Sequence, residues 1–341
     1  MVERAWFTHR TSTGSLSLAH DHILRHIDIQ ELAETQQYST LHKIVLGLSK
    51  LDLESQLTES TVDVDALDTL SRTPLWWASV RGDENAVRNL LEHGASLDKR
   101  SRNYHSPLHV TKSPAIVRLL LDYGERVDCR DEVGRTPLHC CAYRGDCRAG
   151  SVDLLKALLD CGADVHALTR AGHTPLHYAS MYGSVDHITL LLNRGAFIEA
   201  RKQDGHTPLM EAIRCGQPRA VNLLLQNRAD HMAVSGQGKT ILHICASSGD
   251  ISMFNVLTCA RLPGIDVDAK DSRGLTAHDY LQQRKAITEG LATALEELIK
   301  SIHQEGTEDI DIGPDYYEDA LEEQDVETDE RLSEDRRMTG I

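Results

Sequence analysis

The chain has 341 residues, of which 40% are hydrophobic and only 4% aromatic, with three Phe in all. A core of that size must be built from Leu, Ile, Val and Ala, which suits thin layers of small helices better than a β-sandwich. The formal net charge of −16 is uneven: Gln304–Ile341 carries 15 Asp/Glu against 3 Arg, or −12, which leaves −4 for residues 1–303. That balance argues against direct nucleic-acid binding and against attraction to an anionic membrane.

Residues 1–35 form an N-terminal segment, with apolar residues at Leu16, Leu18, Ile23, Leu24, Ile27 and Ile29 that predict short capping helices. Met1 to Leu18 holds no continuous apolar stretch, so no signal peptide is expected. No run approaches the roughly 18 apolar residues of a membrane span. The eight cysteines form no C-x-x-C pair, and most stand in Leu/Ala-rich surroundings where free Cys acts as a small apolar residue. A reduced protein of the cytoplasm, the nucleus or both is the expectation.

From residue 36 the chain repeats itself. Thr136-Pro137-Leu138-His139 returns as Thr174-Pro175-Leu176-His177. Related copies begin at Thr73, Ser106, Thr207 and Thr240, with weaker ones at Ser39 and Thr276. The fourth positions are 42, 76, 109, 139, 177, 210, 243 and 279, a spacing centred on 33. Gly82, Gly145, Gly183, Gly216 and Gly249 each follow the fourth position by six residues, and are read as turn glycines. A Leu-rich stretch comes next, as in Leu119–Leu121, Leu190–Leu192 and Leu223–Leu225. Thr or Ser can cap a first helix, Pro fits its first turn, and the apolar positions fill layers between helices.

This register resembles the ankyrin repeat over roughly residues 38–303, and the array is similar to stand-alone ankyrin proteins of filamentous fungi. The resemblance implies an all-α solenoid of stacked helix–turn–helix units with β-turn fingers, about eight repeats including degenerate ends. It also implies that His109, His139, His177 and His243 bond to backbone in adjoining turns and are not ligands.

Three departures stand out. The Ser106 copy is short, and Pro114 should truncate or distort its first helix. Extra residues fall at Asp146–Gly150 and near Ala260–Pro263. At the far end, Ile287, Leu291, Leu295, Leu298, Ile299 and Ile302 make one stripe, predicting a capping helix that closes an array spanning 36–303. Residues 304–341 are acidic and poor in apolar groups, and are expected to be a disordered tail.

Motifs that carry chemistry are missing: there is no phosphate-binding glycine loop, no dinucleotide fingerprint and no nucleophile elbow. His22 and His26 would share a helix face, but no third ligand is fixed by sequence. Cys140 and Cys141, with Cys147 nearby, read as small buried residues. Neither catalytic residues nor a metal or cofactor is expected, and the chain is read as a non-enzyme.

The expected function is a protein-interaction module: an adaptor, scaffold or regulatory subunit that binds a partner on the face of the first helices and fingers. The alternative is a nuclear coregulator that binds a transcription factor through the array. Candidate contacts before the inter-helix glycines are Arg81, Tyr143, Arg144, Met181, Tyr182 and Arg214. Candidate contacts on the fingers are Arg102, Tyr104, Arg130, Arg170, Arg201 and Lys202. Arg and Tyr are enriched at binding hot spots, and this basic decoration suits an acidic or phosphorylated segment of another protein. The chain itself is expected to be monomeric.

Overall fold

The computed structural model describes residues 37–59, 61–143, 150–260, 262–284 and 289–304. The expected N-terminal capping helices, the acidic tail and most of the Asp146–Gly150 insertion lie outside them. Among the described residues every regular element is a helix and none is a strand. None of these helices is long and apolar enough to cross a membrane.

The chain divides into two compact units, one ending at Arg170 and the other starting at Ala171 and taking in Ala142 and Tyr143. The first contains α1 (Thr40–Val45), α2 (Leu53–Leu57), α3 (Pro74–Arg81), α4 (Glu84–Glu92), α5 (Pro107–Val110) and α6 (Pro114–Asp122). It also holds most of α7 (Pro137–Tyr143) and all of α8 (Gly150–Asp160). The second contains α9 (Pro175–Met181), α10 (Val185–Asn193), α11 (Pro208–Arg214), α12 (Pro218–Gln226), α13 (Ile241–Ser248), α14 (Ile251–Cys259), α15 (Ala277–Gln282) and α16 (Glu289–Gln304). Within the second unit, first helices α9, α11, α13 and α15 pack in one row, and second helices α10, α12, α14 and α16 in another. In the first unit, α1, α3 and α5 stack in order, as do α2, α4, α6 and α8.

Local chemistry explains where each first helix starts. Thr73 and Thr207 sit in extended backbone, and their hydroxyls accept the N–H of Trp76 (3.1 Å) and Met210 (3.4 Å). The Pro that follows supplies a helical φ at a position whose N–H would have no helical partner. The motif Leu then turns inward, and Leu75, Leu138 and Leu176 are fully buried. In each Leu triplet the middle residue is fully buried, Leu120, Leu191 and Leu224, while the third is only partly so. Each such side chain stabilises the stack by about 2 kcal/mol.

Two departures have clear physical outcomes. Helix α5 stops after Val110, and Thr111 is extended. Pro114 does not break a helix: it opens α6 as its first residue, with Ser113 as the cap. The turn glycines are not all alike. Gly82 has φ 74°, the left-handed cap conformation expected of it. Gly249 has φ −66°, which any residue adopts. It is required for space instead, because a Cβ there would lie 2.7 Å from the Cys245 carbonyl oxygen and 2.8 Å from its Sγ.

Candidate protein-interaction surface

The histidines of the repeat motif join each helix start to the finger that follows. The Thr174 N–H donates to His177 Nδ1 (3.1 Å), so that nitrogen carries no proton. The proton is therefore on Nε2, which donates to the His206 carbonyl 29 residues on (3.1 Å). His109 does the same between the Ser106 N–H and the Arg135 carbonyl, and His243 between the Thr240 N–H and the Leu275 carbonyl. The Thr136 N–H donates to His139 Nδ1 (3.1 Å). His42, in the degenerate first copy, reaches the Arg72 carbonyl (2.9 Å). Burial pulls His109 and His177 down to about 4, outweighing the carbonyl bond that favours the protonated ring. His109 and His177 are thus neutral structural clamps at physiological pH.

A second recurring pair links the residue five before the capping Thr to the residue four after it. Asp68 accepts the Trp77 indole N–H (3.1 Å), and Asp271 accepts the Tyr280 hydroxyl (2.7 Å). In the Thr207 repeat the polarity is reversed. Lys202 holds the first position and Glu211 the second, with Nζ 3.2 Å from the carboxylate. Glu211 has no exposed side-chain surface and also meets His206 Nδ1 (2.9 Å) and Arg214 (2.5 Å). Burial alone pushes this carboxyl up, but the bonds from His206 and Arg214 and the Lys202 charge overcome it. The group is held well below the usual carboxylate range.

The candidate contact residues separate into distinct environments. Arg130 donates to the carbonyls of Gly134 (3.1 Å) and Leu168 (2.5 Å), and Arg201 to that of Val234 (2.7 Å). These guanidinium groups tie one finger to the next. Lys202 and Arg214 are paired with Glu211, although the Arg214 side chain keeps 41% exposure. Arg81, Arg102 and Arg170 are exposed; Arg81 lies beside Gly47, and the Arg170 chain packs on Gly134. Arg144 lies outside the described residues. Tyr104 is 59% exposed on its finger and has φ 59°. Five other fingers place glycine there, namely Gly134, Gly172, Gly205, Gly238 and Gly274, all with positive φ. A bulky side chain in the left-handed region costs about 1 kcal/mol or more.

The structure brings Tyr143, Tyr178 and Tyr182 together in the second unit. The Tyr143 and Tyr182 rings meet edge to face with centroids 4.6 Å apart, and Tyr178 lies 6.3 Å from Tyr143. His173 stands 5.5 Å from Tyr178. All four are part-exposed, as is the neighbouring Met181. Burial, reinforced by the Tyr143 hydroxyl, pushes the Tyr182 phenol up, so that ring stays a neutral donor. Reasoning from the sequence passed over Tyr178, His173 and Glu211. Their signal was available: Glu211 is an acid at a helix position that elsewhere holds Trp77, Val110, Cys140, Tyr178, Ile244 or Tyr280.

Cys129, Cys140, Cys141 and Cys245 are buried, and burial pushes the Cys129 thiol up to about 12. No group of three or more His, Cys, Asp or Glu among the described residues is placed to hold a metal ion. His20, His22, His26 and Cys147 lie outside them.

Known proteins agree with this architecture. The family model "Ankyrin repeats (3 copies)" matches residues 98–168, 146–235 and 198–271, and the model "Ankyrin repeat" matches 71–102. The ankyrin repeat domain of Bcl-3, described as a member of the IkappaB protein family, superposes with a TM-score of 0.51 at 30% identity. That match covers 65% of this chain and 98% of that one. Palmitoyltransferase AKR1 of Debaryomyces hansenii is 32% identical over 98 residues, 26% of this chain. The chain spans only 12% of that enzyme's length. The histidine clamps and the family matches agree: the chain belongs to the ankyrin-repeat family of protein-interaction modules.

Proposed function

We propose that the chain is a non-enzymatic adaptor or regulatory subunit, and that its second unit captures an extended segment of a partner protein. The capture face is the tyrosine cluster of Tyr143, Tyr178 and Tyr182 with Met181, and Arg214 stands at its rim. The observation that carries this reading is the edge-to-face Tyr143–Tyr182 pair beside Tyr178, half-exposed on the row of first helices. Half-buried aromatic side chains that pack rigidly together lose little entropy on binding. Their hydroxyls offer donors, and the exposed side of the Arg214 guanidinium offers more. The partner segment best suited to the face has an apolar anchor flanked by carboxylate or phosphate groups.

The test compares proteins recovered by affinity purification and mass spectrometry with the native chain, with Tyr182→Ala, and with Asp186→Lys on the exposed side of α10. Tyr182→Ala should lose the recovered partner about tenfold or more while the melting curve is nearly kept. Asp186→Lys should keep it. Equal recovery by all three chains would sink the proposal.

A further inference from the structure

Successive fingers are joined by one backbone bond each, always between equivalent residues. The N–H of Arg102 donates to the Leu70 carbonyl, Glu132 to Asn103, Arg170 to Val133, Gln203 to Ala171, Gly236 to Asp204 and Ser272 to Gln237. The next finger also covers the tip glycine. A Cβ on Gly134 would lie 2.9 Å from the Arg170 nitrogen, on Gly205 2.4 Å from the Gly236 nitrogen, and on Gly238 3.4 Å from the Ser272 nitrogen. A third link comes from an acid on the finger: Asp65, Asp128 and Glu199 accept the N–H of Ser96, Asp164 and Asp230.

The last finger, residues 266–276, offers all three features with no taker among the described residues. The Arg273 carbonyl stands where the next rung would attach. Gly274 has nothing within 4 Å of its would-be Cβ. Asp268, exposed, holds the place of Asp65, Asp128 and Glu199. Lys270 and Arg273 are exposed on the same finger.

We infer that the acidic segment after Gln304 docks as an extended strand along this open edge and supplies the missing rung to Arg273. Two observations select that occupant. Five second helices hand over to their rung donor in ten residues: Glu92 to Arg102, Asp122 to Glu132, Asp160 to Arg170, Asn193 to Gln203 and Gln226 to Gly236. The same distance from Gln304 reaches Pro314, which has no N–H, so Asp311, Ile312 and Gly313 are the donors in reach. The segment opens with Glu305, Glu308, Asp309 and Asp311, charges complementary to Lys270 and Arg273, and no Lys or Arg intervenes before Arg331.

The clamp histidine is replaced in this copy by Asp279, which binds back to the Thr276 N–H (2.8 Å) and has no N–H to offer a following finger. The docked segment is therefore held by the rung and by charge alone, so it is releasable and sensitive to salt.

Hydrogen exchange on the full chain tests this. At low salt, amides 307–313 should exchange about tenfold slower than in the free peptide 305–341. That protection should disappear in Lys270→Glu and in about 0.5 M salt, where the Debye length is roughly 4 Å. It should disappear too in Gly274→Asn, which keeps the left-handed turn but fills the docking surface. Exchange at the free-peptide rate in the native chain would overturn the inference, as would protection unchanged by both substitutions. Protection that falls on dilution would assign the edge to a second copy and overturn it equally.

Discussion

The repeats opened by Thr276 and Thr207 solve one problem with opposite charges. In the first, the finger supplies the buried acid, Asp271, and the helix supplies a neutral donor, Tyr280. In the second, the helix supplies the buried acid, Glu211, and the finger supplies the cation, Lys202. In both, the finger root and the helix are joined by a polar bond, and its direction is free. The tyrosine solution stacks Arg273 and Lys239 on the ring. The glutamate solution gathers Lys202, His206 and Arg214 around one carboxylate. The second arrangement lies next to the tyrosine cluster, since α9 and α11 pack side by side.

Acid should separate the two kinds of core most strongly. His109 and His177 titrate near 6.5 in the unfolded chain and at about 4 in the folded one, so the unfolded state takes up protons first. Their contribution is complete above pH 6.5 and declines as the pH falls towards 4, by on the order of 3 kcal/mol for each ring. Glu211, held well below the usual carboxylate range, keeps its contribution down to the ordinary carboxyl value of 4.5 and loses it only below that. Urea midpoints measured from pH 7 to pH 4 should fall in the native chain and fall less in His177→Gln; parallel curves would refute the neutral clamp. The next largest effect is Glu211→Gln, which leaves Lys202 and Arg214 around a neutral amide and should cost about 3 kcal/mol. The pair Lys202→Asp with Glu211→Tyr, which rewrites this repeat in the Asp271–Tyr280 style, should recover most of that loss. A double variant no better than the single one would show that the two arrangements are not interchangeable. The smallest effect has the opposite sign. Tyr104→Gly should raise stability by about 1 kcal/mol, because the turn at φ 59° suits glycine. A drop in melting temperature would mean that the Tyr104 side chain holds its finger in place.

Much of this architecture was legible before any coordinate was known. The Thr-Pro-Leu-His copies, with caps, first-turn prolines and Leu triplets in register, carry helix starts and buried layers directly, because those features are local. The candidate surface was legible only in outline. Whether an arginine is free or tied depends on which carbonyl the next repeat presents, and nothing near Arg130 in sequence names Leu168. The reversal at Lys202 and Glu211 needs two residues compared with their counterparts in every other repeat. Gly249 shows the same limit: its spacing announced a glycine, but crowding by Cys245 is the reason for it.

The fixed tautomer of the clamp histidines carries one more consequence. Nδ1 of His177 belongs to the start of α9, and Nε2 holds the finger that begins the following repeat. Fraying the first turn of α9 therefore releases the finger at His206 as well. The segment that opens and recloses as one in native-state exchange should run from Thr174 to His206, a frame that begins at a helix cap and ends on a neighbour's turn.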